Sequence, residues 1–412
     1  MKLEIIKSFP GYEFINGENI YRGTNLGKGG YIRSWVGMYT NVALLDIQSL
    51  HPNSIINMNY FGDYTQHYKN ILDARILIKH GDLEGAKKIL GEKYAHYLND
   101  PSTAKDLAQA LKISLNSCYG LTAASFTNPM LHPMNKNNIV ALRGSLFMRT
   151  LQDEIESRGY GIVAIKTDSI KIINADKEII DFCMDFAKQY GYVFEFEAFY
   201  DRICQVNDAD YVAKYKDVES CERIFGMIPG DNKKHADEWT VTGAKFAVPY
   251  VFKTLFSKEP IEFDDMCETK SVTSALYLDM NESLPDVTME EKELAKYETK
   301  FRKQEIVEGE YRAACDRLKP IIETGHDYQF VGKVGNFCPI LPGKGGGLLV
   351  REKDGKYYAA GGSKGYRWLE SEIVRGTNED YVDRSYYNEL VDTAVETISQ
   401  YGDFEWFVSD DK

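Results

Sequence analysis

Apolar positions change period several times along the chain. Up to residue 63 they come as short runs broken by turn residues, including LGKGGYIRSW and the apolar VALLD at 42–46, which reads as short strands with turns. From 64 to 119 the period is that of helices: HYKNILDARILIKH, then DLEGAKKILGEKYAHYL, then a helix opened by NDPS, with Asp100 or Ser102 as cap and Pro101 in the first turn. A further helix, about NNIVALRGSLFMRTLQDEIES, is predicted to end at Gly159. A hairpin follows, with strands GIVAI and IKII and KTDS at its tip. Past about residue 240 the pattern is mixed, with one highly charged helical stretch from Glu290 to Leu318. No repeat of 20 to 50 residues and no low-complexity tract interrupts this order.

Composition narrows the class. The chain has 412 residues, enough for two or three domains with real cores. No run of 18 apolar residues exists, so no segment is expected to span a membrane, and the N-terminal stretch lacks the apolar core of a secretion signal. Seven cysteines without a CxxC pair read as reduced, mostly buried thiols of an intracellular protein. The net charge of −13 argues against nucleic acid only on average. From Val331 to Arg367 seven basic residues, among them Lys333, Lys344 and Lys364, face two acidic ones, and ten glycines keep that stretch open.

Two aspartates stand out against this background. Asp46 closes VALLD, and an ionised carboxylate withdrawn from water needs a compensating partner such as a cation. Asp168 sits at the tip of a hairpin whose first strand is equally apolar. If the strands share a sheet, the two carboxylates meet at its edge and can hold a pair of divalent ions about 3.5 to 4 Å apart, the clamp of a phosphoryl transfer. Oxygen ligation suits Mg²⁺, with Mn²⁺ as a substitute. In KISLNSCYG, Lys112, Asn116 and Tyr119 fall at i, i+4 and i+7, one face of a helix expected to stop at Gly120. Such a face can hold a triphosphate and a base, and Arg75 and Lys79, four apart on a neighbouring helix, complete a cationic wall. Singly, a strand-end aspartate caps a turn and a cation pair is a solvated helix face. The combination carries the chemistry.

In that order, DIQSLHP, KISLNSCYG and KTDS resemble motifs A, B and C of family B DNA polymerases, whose patterns run DxxSLYP, KxxxNSxYG and DTDS. The resemblance covers about residues 20 to 260 by motif. TGAKFAVPYVFKTLF and FVGKVGNFCPILPGKGGG extend it by looking like the later parts of phage members. It implies an α+β right-hand fold with an antiparallel palm sheet, short two-helix fingers and a mixed thumb. Palm would span 1–63 and 120–240, fingers 64–119, and thumb with a basic glycine-rich DNA-binding region 241–412. It further implies that Asp46, Asp168 and the carbonyl of Ile47 hold two Mg²⁺ ions, and that Lys112 is catalytic. Ser49, Leu50, His51, Arg75, Lys79, Lys112, Asn116 and Tyr119 would bind the incoming dNTP. Gly29, Gly30, Lys166, Thr167, Tyr211, Lys333, Lys344 and Lys364 would bind primer-template DNA.

The chain departs from the family pattern at several points. His51 replaces the tyrosine that packs beneath the deoxyribose, and an imidazole there is shorter and expected to titrate near neutrality. Lys166 replaces the first aspartate of DTDS, the template-side YxGG is approximated by GKGG at 27–30, and the downstream KxY by ADY at 209–211. Only 45 residues precede Asp46, and the one early DxE, Asp82 to Glu84, falls in a helical region. The resemblance therefore implies the polymerase half of a split viral replicase in the host cytoplasm, with a separate exonuclease or N-terminal polymerase subunit as partner. The rival readings are a metal-dependent nuclease, which needs no Lys112 face, and an inactive palm-fold protein that binds DNA or the replisome.

Overall fold

The computed structural model describes residues 2–132, 135 and 138–409. Asn137, the first residue of the fourth predicted helix, lies outside them. The chain divides into two compact units, Met1–Gly243 with Ile398–Lys412, and Ala244–Thr397.

The first unit opens with helix α1 (Lys2–Ser8), which the sequence pattern did not reveal, and a small antiparallel sheet of β1 (Tyr12–Ile15), β2 (Glu18–Tyr21) and β3 (Thr24–Asn25). Strands β4 (Ile32–Ser34) and β5 (Gly37–Ile47) lead to α2 (Leu50–Asn57), where only a turn is legible in HPNS. Pro52 is tolerated because it falls in the first helical turn, whose amides have no intrahelical acceptor. Four helices follow: α3 (Thr65–Lys79), α4 (Leu83–Leu90), the single turn α5 (Glu92–Ala95) and α6 (Pro101–Thr122). Asp100 caps α6 by accepting from the Thr103 amide at 3.0 Å, with Pro101 at the first helical position. The helix runs past Gly120 to Thr122, because that glycine keeps ordinary helical geometry and is not a left-handed stop.

Helix α7 (Ile139–Ser157) ends before Gly159, which adopts a positive φ of 85°. The hairpin is β6 (Ile162–Lys166) and β7 (Ser169–Ile173), followed by α8 (Lys177–Gln189), β8 (Phe194–Gln205), β9 (Tyr211–Tyr215), α9 (Val218–Phe225), α10 (Asn232–His235) and β10 (Trp239–Thr242). The central sheet is antiparallel, in the order β10-β9-β8-β5-β7-β6-β4. Strand β5 therefore lies between β7 and β8, and it is the second hairpin strand that pairs with it. Alternation divides β5 between two apolar layers. Ala43, Leu45 and Ile47 join a core with helices α2, α7 and α8, while Val42 and Leu44 join a second cluster on the other face. Asp46 belongs to that second face by parity, so the charge at the end of VALLD points away from the main core.

The chain beyond Ile398 returns to this unit. Buried Arg202 on β8 donates to the carbonyls of Trp406 at 2.9 Å and Ser409 at 2.5 Å, and Phe407 is fully buried.

The second unit begins with two single turns, α11 (Ala244–Ala247) and α12 (Pro249–Phe252). Its antiparallel sheet has the order β14-β13-β11-β12-β15, built from β11 (Glu268–Asp279), β12 (Tyr328–Ile340), β13 (Leu348–Lys353), β14 (Lys356–Ala359) and β15 (Arg367–Glu370). The predicted single charged helix is two helices, α13 (Thr288–Arg302) and α14 (Glu308–Glu323). The break comes where Gln304 takes a left-handed φ of 58°, and stacking of Phe301 on Tyr311 at 4.7 Å joins the two helices. Trp368, Phe337 and Tyr387 are fully buried in this unit's core. Two of the seven basic residues between Val331 and Arg367 have polar partners for their side chains within the unit: Lys356 pairs with Glu298, and Arg367 bonds Gly346 and Asn281. Among the described residues no helix is long and apolar enough to cross a membrane.

Candidate active site

The end of β5 carries the site because both neighbouring strands deliver acidic side chains there. Asp46 lies opposite Ser169 of β7 and Glu195 of β8. The β6–β7 turn consists of Thr167 and Asp168, and it is tied to β5 by the Ile47 amide, which donates to the Asp168 carbonyl at 2.8 Å. Strand β8 reads FEFEAF: Phe194 and Phe196 enter the core and Glu195 and Glu197 take the other face. A register shift opposite Leu44 and Leu45 places Glu197 in a bulge, a device that re-aims a side chain beside a site. Phe and Glu in strict alternation was the available signal for these two glutamates, which the motif reading passed over.

One cavity of about 340 Å³ is lined by Asp46, Ile47, Gln48, Ser49, Leu50, His51, Pro52, Arg75, Lys79, Lys112, Leu115, Asn116, Asp168, Glu195 and Glu197. Five separated stretches of sequence meet in it. Leu50 is at its edge, with a side chain that is buried against Gly144. Tyr119 is one step away: its ring stacks on that of His51 with centroids 4.0 Å apart, and its hydroxyl accepts from Asn138 Nδ2 at 3.1 Å. The Asp82–Glu84 pair is elsewhere, with Asp82 capping α4 through the Gly85 amide.

Electrostatics set the character of the cavity. Burial first, then the charges of Asp168, Glu197 and Glu195, push Asp46 up to about 8, with the Lys79 ammonium opposing. Burial also raises Asp168. Glu197 is raised by burial and by Asp231 and Glu195. Burial pushes Glu195 the same way, but hydrogen bonds from Lys79 and Gln48 outweigh it and leave this carboxyl below its ordinary value. Among the described residues no three His, Cys, Asp or Glu side chains form a metal-holding group by themselves. The donor set at hand is two carboxylates beside the Ile47 backbone, all oxygen, which fits a hard divalent cation.

His51 departs from the sequence expectation. Its Nδ1 is buried without a hydrogen-bond partner among the described residues, and burial pushes the imidazole down to about 4, so it stays neutral where a solvated histidine titrates. Arg75 Nη1 reaches Ser49 Oγ at 3.4 Å while its Nε is buried and has no partner among the described residues.

The residues expected to touch DNA are placed in four settings. Gly29 and Gly30 pack behind the Asp168 turn: the Gly29 carbonyl accepts from Ser145 Oγ at 3.0 Å, and the Thr167 amide donates to the Tyr31 carbonyl at 2.9 Å. Lys166 is exposed at the end of β6. Tyr211 on β9 lies outside the cavity lining, with the Lys171 ammonium 3.7 Å from its ring centroid. Lys171 is a residue that motif reading missed. It extends from β7 across two strands and is buried, and burial together with Lys166 pushes its ammonium down to about 7. Lys333, Lys344 and Lys364 are exposed on the second unit, with Lys344 over the Tyr381 ring.

The contact behind the turn yields a prediction. A Cβ on Gly30 would fall 2.2 Å from Thr167 Oγ1 and 2.7 Å from its Cβ, a clash that rotating the side chain does not relieve. Thr167 already holds a left-handed φ of 59°, which is costly for a β-branched residue. Gly30→Ala is therefore expected to cost about 1–3 kcal/mol by forcing the turn to move. Adding Thr167→Gly, which removes the clash and suits the positive φ, should recover most of it. Urea denaturation of the two variants checks this.

No family model matches the sequence, and no curated protein matches it. Among solved structures the chain is similar to one described as the family B DNA polymerase from the hyperthermophilic archaeon Pyrobaculum calidifontis, at 13% identity and a TM-score of 0.45. The match covers 90% of this chain and 46% of that one, so the chain spans just under half the length of that polymerase. A likeness this distant carries no inference about activity.

Proposed function

We propose that this chain performs template-directed DNA synthesis, joining a dNTP to a primer 3′-hydroxyl. The observation that carries the reading is the meeting of DIQSLHP, the Arg75–Lys79 face, the Lys112–Asn116 face and Asp168 around one cavity. Carboxylates on the sheet and cations on the helices above it are the two halves a triphosphate and its counterions require. In this reading the central sheet is the palm, α3 to α6 are the fingers, and the second unit is the thumb, whose exposed Lys333, Lys344 and Lys364 contact DNA backbone.

Asp46, Asp168 and the Ile47 carbonyl would hold Mg²⁺, or Mn²⁺ in its place. The fit is argued from the donor set, since two carboxylates raised by burial, Asp46 also by the charge of Asp168, gain from a cation between them. When bound, the ions supply Lewis-acid polarisation and charge neutralisation at the reacting phosphate. The chain's own residues do the positioning. Lys112 and Arg75 meet the phosphates, Asn116 offers an amide beside them, and the stacked pair of His51 and Tyr119 forms the floor under the sugar and base. Purified protein given a primed template, Mg²⁺ and four dNTPs should lengthen the primer.

The floor makes a second prediction. Imidazole is shorter than a phenol, so His51→Tyr should raise the ratio of kcat/KM for dNTP over rNTP, and His51→Ala should lower it. Because burial holds His51 neutral, the natural protein's ratio should stay flat between about pH 6 and 8. Equal ratios in all three proteins, or a break near pH 6.5, would remove His51 from the sugar pocket.

A further inference from the structure

We propose that Glu195 occupies the phosphate position of this site in the ligand-free protein and holds Lys79 until a polyphosphate displaces it. The proposal rests on reading the cavity as a nucleotide site. Lys79 Nζ donates to both oxygens of Glu195, at 2.8 and 2.7 Å, and Gln48 Nε2 donates to the same carboxylate at 2.8 Å. The carboxylate thus presents two acceptor oxygens to the helix as one edge of a phosphate would. One turn earlier on α3, Arg75 has, among the described residues, a buried Nε with no acceptor and only a 3.4 Å hydrogen-bond contact to Ser49. The cationic face of α3 is therefore half occupied, one cation held by an internal anion and the other short of acceptors. Both members of the pair remain partly exposed, at 46% and 33%, so exchange needs no opening of the core.

A polyphosphate carries enough oxygens to satisfy Arg75 and Lys79 together, whereas a single phosphate competes with Glu195 for one of them. The released carboxylate then faces Asp46, opposite it in the sheet, and that crowding opposes its release until cations balance it. Glu195 thereby sets a threshold that favours di- and triphosphates over monophosphates. A purely structural tie between α3 and β8 would have no such selectivity.

The test uses inorganic tripolyphosphate and inorganic phosphate as probes, titrated calorimetrically into the full chain with Mg²⁺. Glu195→Gln should bind tripolyphosphate about three- to tenfold more tightly, the scale of one partly exposed, hydrogen-bonded ion pair. It should gain proportionately more for phosphate. Glu195→Asp, which keeps the charge and withdraws it by one methylene, should show a smaller gain and serves if Glu195→Gln does not fold. In a Lys79→Ala background the Glu195→Gln gain should vanish. Unchanged or weaker binding by both Glu195 variants, or an equal gain without Lys79, overturns the proposal while leaving the nucleotide site standing. No tripolyphosphate binding by the natural chain or any variant overturns both.

Discussion

Replacing Asp46 or Asp168 by alanine is expected to lower primer extension by about 10³-fold or more while primer-template binding persists, the scale of losing preorganised charge stabilisation. Asp46 is held beside Asp168, Glu195 and Glu197 in a partly buried cavity, an arrangement that stability alone would not favour. The folded protein raises this carboxyl from its ordinary value to about 8, so between about pH 4 and 8 the native state binds more proton than the unfolded chain does. Stability from this group therefore falls as pH rises through that window. Asp46→Asn should remove the effect and, without divalent metal, leave the protein equally or more stable at pH 8. Loss of extension with an unchanged or higher melting temperature separates a functional defect from an unfolded one. A variant at either aspartate with near-normal extension would contradict the assignment.

Lys112→Ala is expected to lower kcat about 10²-fold and to raise the KM for dNTP, with primer-template affinity unchanged, because in the proposed reaction its contact would tighten as charge develops on the leaving pyrophosphate. The distribution of partners singles out this lysine. Lys79 is held by Glu195 and Arg75 approaches Ser49, whereas Lys112 is exposed and makes no ion pair among the described residues. Lys79→Ala should be milder, since the charge of Lys79 is already engaged by Glu195 in the ligand-free protein. Steady-state incorporation across a range of dNTP concentrations measures both constants. Lost DNA binding with normal dNTP kinetics in Lys112→Ala would place α6 at the wrong ligand.

How much of this was legible in the sequence depends on the range of the forces involved. The hairpin with KTDS at its tip, the Asp100 cap and the i, i+4 spacing of Lys112 and Asn116 are local, and local chemistry writes them directly. The turn-like HPNS became a helix because Ser54 and Ile55 are buried in the core, a tertiary gain that outweighs local preference. Glu195 and Glu197 join the site through strand order and a bulge, so the alternation of Phe and Glu reports their shared face and not what that face meets, and the reach of Lys171 to Tyr211 across two strands has no signature along the chain. The neutral state of His51 follows from what covers it, and residue type reports only the solvated value. The basic run from Val331 to Arg367 overstated its free charge because Glu298 and Asn281, distant in sequence, engage two of its members.

The measurement that bears most directly on the proposed activity is extension of a labelled primer on a template of known sequence, with each dNTP omitted in turn. Template-directed synthesis predicts that the product stops one position before the first complement of the missing nucleotide, for each of the four, and that Asp46→Ala gives no product on the same DNA. A primer that only shortens, a product whose length ignores the template, or bound DNA with no extension by the natural chain would contradict it.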